Sequence, residues 1–256
     1  MKLIDTHTHL YTEEFNTDRK KTFERAMAEG VEKFFLPAID STYTHSMLQT
    51  KSMFPHKVFL MAGLHPCSVK ENFREELDKV FEFMSRNNFA GFGETGLDFY
   101  WDKTFIEEQK ISLRQHCNWA IEFKKPLILH TRNSMDDAIA IVQEFACPDL
   151  KGIFHCFSGN LEQAEKIIDL GFYLGIGGVL TFKNSGLDKV IKEIDLKHIV
   201  LETDSPYLAP VPFRGKRNES AYLKIIAEKL SLVKECTVEH VARLTSENAE
   251  SVFGNP

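Results

Sequence analysis

The sequence lacks the features of membrane and secreted proteins. No apolar run in its 256 residues approaches the roughly 18 that a membrane-spanning helix needs, and no basic-then-apolar leader precedes the first apolar segment. The five cysteines are scattered, odd in number and form no C-x-x-C pair, a pattern typical of reduced thiols. We therefore expect a soluble, cytoplasmic protein that makes no membrane contact.

A basic field is missing as well. The formal net charge is −6 and the pI is about 5.9, so bulk electrostatics would not attract a nucleic acid. A polyanionic substrate would have to be held by metal ions and a local basic patch. The composition, 43% hydrophobic and 27% charged, is that of a soluble globular protein. Because no linker rich in Gly, Ser or Pro divides the chain, we expect one domain over residues 1–256.

Short apolar segments alternate with helical segments along the whole chain. The predicted strands are residues 2–4, 31–36, 58–63, 89–93, 126–129, 152–154, 172–176 and 199–201. The predicted helices are residues 18–29, 41–54, 74–87, 105–123, 135–145, 161–168, 187–194, 220–231 and 238–253. Eight strands in this rhythm predict an α/β fold of the TIM-type (β/α)8 barrel. A doubly wound open sheet is the alternative, and the absence of G-x-G-x-x-G after the first strand disfavours it.

Polar side chains of the types that bind metals follow the predicted strands. Active sites of such barrels gather where the strands end, so these side chains should converge. The residues at the strand ends are His7, His9, His65, Glu94, His130, His155 and Asp204. Taken singly, each has a structural explanation, such as a hydrogen bond at the barrel rim, a helix cap or an Asx turn. Five of the ten histidines nevertheless lie at strand ends, which predicts a metal centre.

Six of these seven residues suit a pair of divalent cations. Four histidines, one aspartate and one glutamate that can bridge through its two oxygens form the expected ligand set: His7, His9, His130, His155, Asp204 and Glu94. This chemistry does not choose among Zn, Mn and Mg. Asp5, below His7 on the first strand, and Glu202, two residues before Asp204, are expected to orient ligands, with a rim salt bridge as the alternative for both.

With these residues in place, the sequence resembles the TatD-type metal-dependent deoxyribonucleases of the amidohydrolase-like barrels. The motifs that carry the resemblance are DTHTHL (5–10), GLHP (63–66), GETGLD (93–98), LHTR (129–132), FHCFSG (154–159), LETDSPYL (201–208) and RGKRN (214–218). They span the chain in the family's order. Departures occur at Tyr11, where members often have Asp, at Phe213, where many have His, and at Ser220, where Pro is common.

The resemblance assigns roles to the predicted ligands. It implies one metal site of His7, His9, Glu94 and Asp204, and a second of Glu94, His130 and His155, with Glu94 bridging. Glu94 and Asp204 are then the catalytic residues, and Asp204 orients or deprotonates the attacking water. His65 matches a position beside the site that does not count as a ligand, and it is expected to contact substrate.

The implied activity is hydrolysis of DNA phosphodiester bonds, including a 3′–5′ exonuclease as one form of it. An amidohydrolase or esterase acting on a small or aminoacylated substrate with the same two metals is the alternative. A non-catalytic metal-binding scaffold is a third hypothesis, which the complete ligand set disfavours. The partner is DNA or another phosphodiester, and no obligate protein partner is implied.

Basic and aromatic residues near the predicted strand ends are candidates for substrate contact. Arg132 follows His130 by two residues, while Arg214, Lys216 and Arg217 crowd the loop after the last strand, where they could hold phosphates. The alternative is a solvated loop. Residues 99–101 (Phe-Tyr-Trp) could stack on unpaired bases or pack over the barrel.

Overall fold

Strands and helices alternate in the computed structural model, which describes residues 1–254. The strands are β1 (Leu3–Asp5), β2 (Val31–Leu36), β3 (Val58–Leu60), β4 (Phe92–Asp98), β5 (Leu127–Arg132), β6 (Gly152–Phe154), β7 (Phe172–Ile176) and β8 (Ile199–Leu201). The helices are α1 (Arg19–Ala28), α2 (Thr44–Met53), α3 (Phe73–Arg86), α4 (Ile106–Phe123), α5 (Met135–Glu144), α6 (Leu161–Asp169), α7 (Leu187–Glu193), α8 (Leu223–Val233) and α9 (Val238–Phe253).

The eight strands are parallel and close into a barrel. They form two hydrogen-bonded ladders, β1-β2-β3 and β4-β5-β6-β7-β8. Ala62 joins β3 to β4, because its amide donates to the Gly91 carbonyl at 3.0 Å and its carbonyl accepts from Gly93 at 2.8 Å. On the other side, the Thr6 amide donates to the Leu201 carbonyl of β8 at 3.1 Å. The predicted (β/α)8 barrel is therefore confirmed.

Period-two alternation along the strands separates two apolar layers. One side of each strand packs outward against the helices, while the other side fills the barrel. The interior side chains, here called the closed-end cluster, are Ile4, Phe35, Phe59, Met61, Ile128, Ile153 and Val200, with Ala249, Val252 and Phe253 of α9. Phe253 stacks on Phe35 with ring centroids 3.7 Å apart. Ser246 and Asn248 of α9 donate to the carbonyls of Lys2, just before β1, and of Ile199, the first residue of β8, so α9 covers the end at which the strands begin.

The same alternation places the candidate ligands. His130 lies two residues after Ile128, and His155 two residues after Ile153, so each ring continues the interior face of its strand. Interior side chains are therefore apolar at one end of the barrel and polar at the other. We call the polar end the mouth.

The outer helices present apolar faces to the strands. Helix α3 buries Leu77, Val80 and Met84, which recur at helical spacing. Phe81, at the edge of this face, is 46% exposed, and its ring lies beside that of Trp119 of α4. Among residues 1–254, no helix combines the length and apolarity that a membrane crossing requires.

Several predicted boundaries were wrong, and the error at β4 is the largest. Strand β4 runs from Phe92 to Asp98 instead of over residues 89–93. The helix predicted from residue 41 begins at Thr44, because a 3-10 turn precedes it that Asp40 caps by accepting from the Thr42 amide at 3.0 Å. The β4 error matters for function, since the extra residues continue into the mouth.

Candidate metal centre

Glu94 of β4 lies at the centre of the mouth, and each of its two oxygens faces a different group of side chains. Its Oε2 atom is 3.1 Å from His7 Nε2 and 3.3 Å from His9 Nε2. Asp204 closes this side, with its Oδ1 atom 3.6 Å from His9 Nε2 and 3.8 Å from His7 Nε2. Four residues, from β4 and from the segments that follow β1 and β8, thus surround one point.

The other oxygen of Glu94 faces the histidines of β3, β5 and β6. Glu94 Oε1 is 2.9 Å from His130 Nδ1, 3.1 Å from His155 Nε2 and 3.3 Å from His65 Nε2. His155 also approaches the first group, because its ring stacks on His7 with centroids 3.7 Å apart. All seven residues predicted at the strand ends are therefore brought together in the mouth.

The backbone at Gly96 allows this close approach of β4 to β5. Gly96 has a φ of +130°, which side chains rarely permit, and a Cβ atom there would collide with the backbone of His130. Glu94, Gly96 and Asp98 lie on one face of the strand, two residues apart. The missing side chain at Gly96 thus leaves room for the backbone of His130, whose ring lies between the two carboxylates.

Tyr11 fixes the tautomer of His9. The Tyr11 hydroxyl donates its proton to the Pro37 carbonyl at 2.6 Å, since a carbonyl can only accept. The same oxygen lies 2.9 Å from His9 Nδ1 and must accept there, so the proton of a neutral His9 ring is on Nδ1. The lone pair on His9 Nε2 then points at Glu94 and Asp204.

Carboxylates fix the rings of His155 and His130 in the same way. Glu202 Oε1 accepts from His155 Nδ1 at 3.1 Å, which leaves the Nε2 lone pair directed at Glu94. Asp98 Oδ2 lies 3.0 Å from His130 Nε2, which leaves the Nδ1 lone pair directed at Glu94. Glu202 is fully buried, so the alternative of a rim salt bridge does not hold.

His65 has the opposite tautomer. Its Nδ1 atom accepts from the Cys67 amide at 3.0 Å, so the proton of a neutral ring lies on Nε2 and is donated toward Glu94 Oε1. A ring nitrogen that carries a proton cannot bind a metal. This bonding is consistent with a place beside the ligands rather than among them.

This donor set fits divalent cations. Three imidazole lone pairs, on His9, His130 and His155, face the lone pairs of one carboxylate at 2.9–3.3 Å, an arrangement that is repulsive unless positive charge lies between them. Buried His7 adds an Nδ1 atom without a hydrogen-bond partner in residues 1–254. Groups of potential ligand atoms within 4.8 Å of one another include His7, His9 and Glu94, and also His7, His155 and Asp204.

Without cations, protons must supply that positive charge. Burial alone lowers the pKa of His155, but the carboxylates of Glu94 and Glu202 overcome it and raise the pKa well above the usual value. Burial alone raises the pKa of Glu94, yet the surrounding histidines hold it well below its usual range. Burial raises the pKa of Asp204 to about 6.

Asp5 lies behind the histidines and does not touch their rings. Its carboxylate accepts from the Thr203 amide at 3.0 Å, from the Thr203 hydroxyl at 2.6 Å and from the His7 amide at 3.4 Å. Burial raises the pKa of Asp5 to about 7. Asp5 therefore ties the backbone that carries His7 to the segment that carries Asp204.

The basic residues predicted to contact substrate differ in how they are bound. Arg132 and Arg214 are exposed, and their guanidinium groups lie over the rings of Tyr100 (3.9 Å) and Phe182 (4.0 Å). Lys216 is exposed as well. Arg217 instead forms a salt bridge with Asp18 at 2.8 Å and donates to the Glu14 carbonyl, so it is not free to hold a phosphate.

The sequence reasoning missed the roles of Asp98 and Tyr11. Asp98 belongs to the GETGLD motif, but the predicted end of β4 at residue 93 concealed that it shares a strand face with Glu94. Tyr11 stood out only as a departure from the family pattern. Its role depends on the Pro37 carbonyl, and no sequence signal indicates that contact.

Known proteins resemble this chain over its whole length. The family described as TatD related DNase matches residues 4–254. The metal-dependent hydrolase YabD of Bacillus subtilis is 39% identical over 255 residues, which cover 98% of both chains. The metal-dependent hydrolase YcfH of Escherichia coli K12 is 33% identical and covers 99% of this chain and 96% of the relative.

A solved structure gives the same result. The crystal structure of YjjV, a TatD homologue from Escherichia coli K12, matches with a TM-score of 0.93 at 27% sequence identity. The match covers 99% of this chain and 98% of that chain. The protein therefore belongs to the TatD-related DNase family, and it is a metal-dependent hydrolase built on a (β/α)8 barrel.

Proposed function

We propose that this protein is a deoxyribonuclease that hydrolyses DNA phosphodiester bonds with two divalent cations. The main support for this proposal is that the two oxygens of Glu94 face different histidines. Its Oε2 atom faces His7 and His9, and its Oε1 atom faces His130 and His155. One carboxylate between two histidine groups is the arrangement of a bridged pair of cations. When bound, such a pair lowers the pKa of water toward neutrality and neutralises charge that develops on phosphoryl oxygens.

The protein's own residues keep the ligand lone pairs in place. Tyr11 and Glu202 hold the protons of His9 and His155 on Nδ1, and Asp98 holds that of His130 on Nε2. Each of the three rings therefore enters the reaction already oriented, which avoids the cost of reorganisation.

Asp204 is the proposed acceptor of a proton from the attacking water. Its side chain is 14% exposed, compared with 3% for Glu94, so it reaches the solvent side of the cluster. A carboxylate there can accept a proton on an oxygen that faces the substrate. The backbone supports this position, because the Asp204 amide donates to the His7 carbonyl at 2.9 Å.

Phosphodiester substrates are supported by the free basic groups at the rim. Arg132 and Arg214 form no salt bridge within residues 1–254, so their charge is available to phosphate oxygens. An overall charge of −6 supplies no long electrostatic track for a duplex. The proposed substrate is therefore a strand end or a short single strand.

The proposal is tested by metal content and activity together. The protein, purified without chelator, is expected to contain metal by mass spectrometry and to release nucleotides from single-stranded DNA with Mg²⁺ or Mn²⁺ but not after EDTA. Asp204→Asn should reduce kcat by at least about 100-fold, the contribution typical of general-base catalysis. Asp149→Asn, an exposed carboxylate outside the mouth, is the matched control. Bound metal with hydrolysis of small esters or amides alone would overturn the nuclease in favour of a small-substrate hydrolase.

A further inference from the structure

An aromatic pair stands at the rim of the mouth, on the loop that follows β4. Tyr100 is 51% exposed and Trp101 is 68% exposed, and their rings meet at 85° with centroids 4.9 Å apart. The Arg132 guanidinium carbon lies 3.9 Å from the Tyr100 centroid and 5.0 Å from the Trp101 centroid. We call these three side chains the rim platform.

The rim platform is fixed to the metal centre by one carboxylate. Asp98 Oδ1 accepts from the amides of Tyr100 at 2.8 Å and Trp101 at 3.1 Å, while its Oδ2 atom holds His130 Nε2. The Phe99 amide also donates to the Arg132 carbonyl at 2.9 Å. The exposed rings therefore sit on an anchored loop, so their exposure does not come from a loose segment.

Arg132 differs from most arginines of the chain. Five arginines form salt bridges with carboxylates: Arg25, Arg86, Arg114, Arg217 and Arg243. Arg132 forms none within residues 1–254 and spreads its planar group over aromatic rings instead. Its charge is left for an anion, and it lies two residues beyond His130 on the same strand, about 7 Å away at strand spacing.

We infer that the rim platform binds an unpaired nucleobase of single-stranded DNA on Trp101 and an adjoining phosphate on Arg132. Tryptophan presents a flat face to which any base can stack, and a guanidinium matches phosphate oxygens. A base within a duplex already has both faces covered, so only an unpaired base can use the ring. This inference deepens the proposed nuclease function and rests on it for the direction of the strand toward the metals.

A binding experiment tests the rim platform without turnover. The chain has two tryptophans, and Trp119 is buried in α4, so Trp101 is the one that a ligand can reach. Titration of the metal-loaded enzyme with a six-nucleotide phosphorothioate oligothymidylate should quench tryptophan fluorescence. Trp101→Phe should abolish the quenching while the emission of Trp119 remains. Equal quenching in wild type and Trp101→Phe, or none in wild type, would overturn the inference.

A kinetic experiment distinguishes base stacking on Trp101 from phosphate binding by Arg132. Trp101→Ala should raise KM for a single-stranded oligonucleotide by roughly 10-fold or more, the range of one lost base stack. An oligomer of the same length made of abasic sites keeps the phosphates, so Trp101→Ala should leave its KM unchanged. Arg132→Gln should raise KM for both. Phe81→Ala, which removes a similarly exposed ring from α3, is the control and should change neither.

The outcomes distinguish the inference from the proposed function. If Trp101→Ala raises both KM values equally, the ring only supports the loop and base stacking is overturned. If the wild-type enzyme cleaves no DNA, the nuclease proposal fails. Fluorescence quenching by the oligothymidylate would still support the rim platform in that case, and its absence would overturn it.

Discussion

The two ends of the barrel interior are built from opposite kinds of side chain. At the closed end, Phe35, Ile128 and Phe253 pack with no polar partner to satisfy, and Phe35 and Phe253 stack with centroids 3.7 Å apart. At the mouth, the same strand faces carry histidines and carboxylates whose lone pairs point at one another. Burial of apolar area stabilises the first arrangement, whereas the second raises the free energy of the fold until positive charge enters it.

This difference indicates that the two ends of the same strands have different roles, stability at the closed end and metal binding at the mouth. A step of two residues, from Ile128 to His130 or from Ile153 to His155, changes the environment from core to reactive site. Substitutions at the closed end should therefore alter stability without altering metal binding. Substitutions at the mouth should instead lower metal binding.

The largest effect is expected at the mouth, from Glu94→Gln. The amide keeps the shape but loses the negative charge that both histidine groups face, so metal content should collapse. Hydrolysis should fall by more than the roughly 100-fold that follows loss of an outer hydrogen-bond partner. Glu202→Gln, which alters the acceptor of His155 Nδ1 and of the Cys156 amide, is the graded companion and should cost roughly 10- to 100-fold in metal affinity. Wild-type metal content in the Glu94→Gln variant would show that Glu94 is not the ligand that two cations share.

The next effect is expected at the closed end, from Phe35→Ala. Removing a fully buried ring from a packed core costs about 3–5 kcal/mol of unfolding free energy. Urea unfolding of the metal-free protein measures this loss, and metal content and KM should stay at their wild-type values. A loss of metal with no loss of stability would contradict the division between the two ends.

A smaller effect concerns a histidine outside the mouth. His116 of α4 is fully buried. Its Nδ1 atom donates a hydrogen bond to the Ser112 carbonyl, and its Nε2 atom accepts one from the Leu64 amide. Burial lowers the pKa of His116 to about 4. An unfolded chain takes up this proton near pH 6.5, while the native protein does not do so until about pH 4. The stability that this histidine contributes is therefore present above pH 6.5 and is lost as pH falls toward 4.

Urea unfolding of metal-free protein at pH 7 and pH 5 measures this loss. Between pH 7 and pH 5, the free energy of unfolding should fall by about 2 kcal/mol more in the wild type than in His116→Gln. Because both proteins retain the mouth histidines, their titration cancels in the comparison. Equal losses in the two proteins would show that His116 is protonated in the native state.

The smallest effect is expected from Tyr11→Phe. The variant keeps the ring but removes the acceptor of the His9 Nδ1 proton, so the tautomer that binds metal is no longer favoured. Metal affinity measured by chelator competition should fall roughly 10-fold. Tyr43→Phe removes a hydroxyl from the neighbouring ring, 5.5 Å away between centroids, and serves as the control. An unchanged affinity in Tyr11→Phe would show that His9 needs no external orientation.

The fold and the meeting of the ligands could be predicted because they depend on local pattern. Short apolar strands followed at once by His or Glu are visible in the sequence, and barrel geometry brings all strand ends to one place. The extent of β4 was not visible, since Gly93, Thr95 and Gly96 resemble a turn. Only the packing of β5 against Gly96 shows that these residues continue the strand.

Long-range partners account for the rest of what the sequence did not reveal. Arg217 looked like a phosphate contact beside Arg214, but it pairs with Asp18, which lies 199 residues earlier in the chain. The bond from Tyr11 to the Pro37 carbonyl joins the loop after β1 to the end of β2. Such contacts depend on how separate loops settle over the barrel, and no spacing rule encodes them.

Asp98 connects the mouth to the aromatic loop that follows β4. One of its oxygens lies against Nε2 of His130, a candidate metal ligand, and the other accepts from the backbone amides of Tyr100 and Trp101 in the aromatic loop. If a bound cation orders that loop, it strengthens the binding of a strand end to the loop. Because such coupling is reciprocal, the bound strand end strengthens cation binding by the same free energy. If the rim platform binds a strand end as proposed, substrate and metal strengthen each other's binding, and an enzyme short of metal retains its cations longest while that substrate is bound.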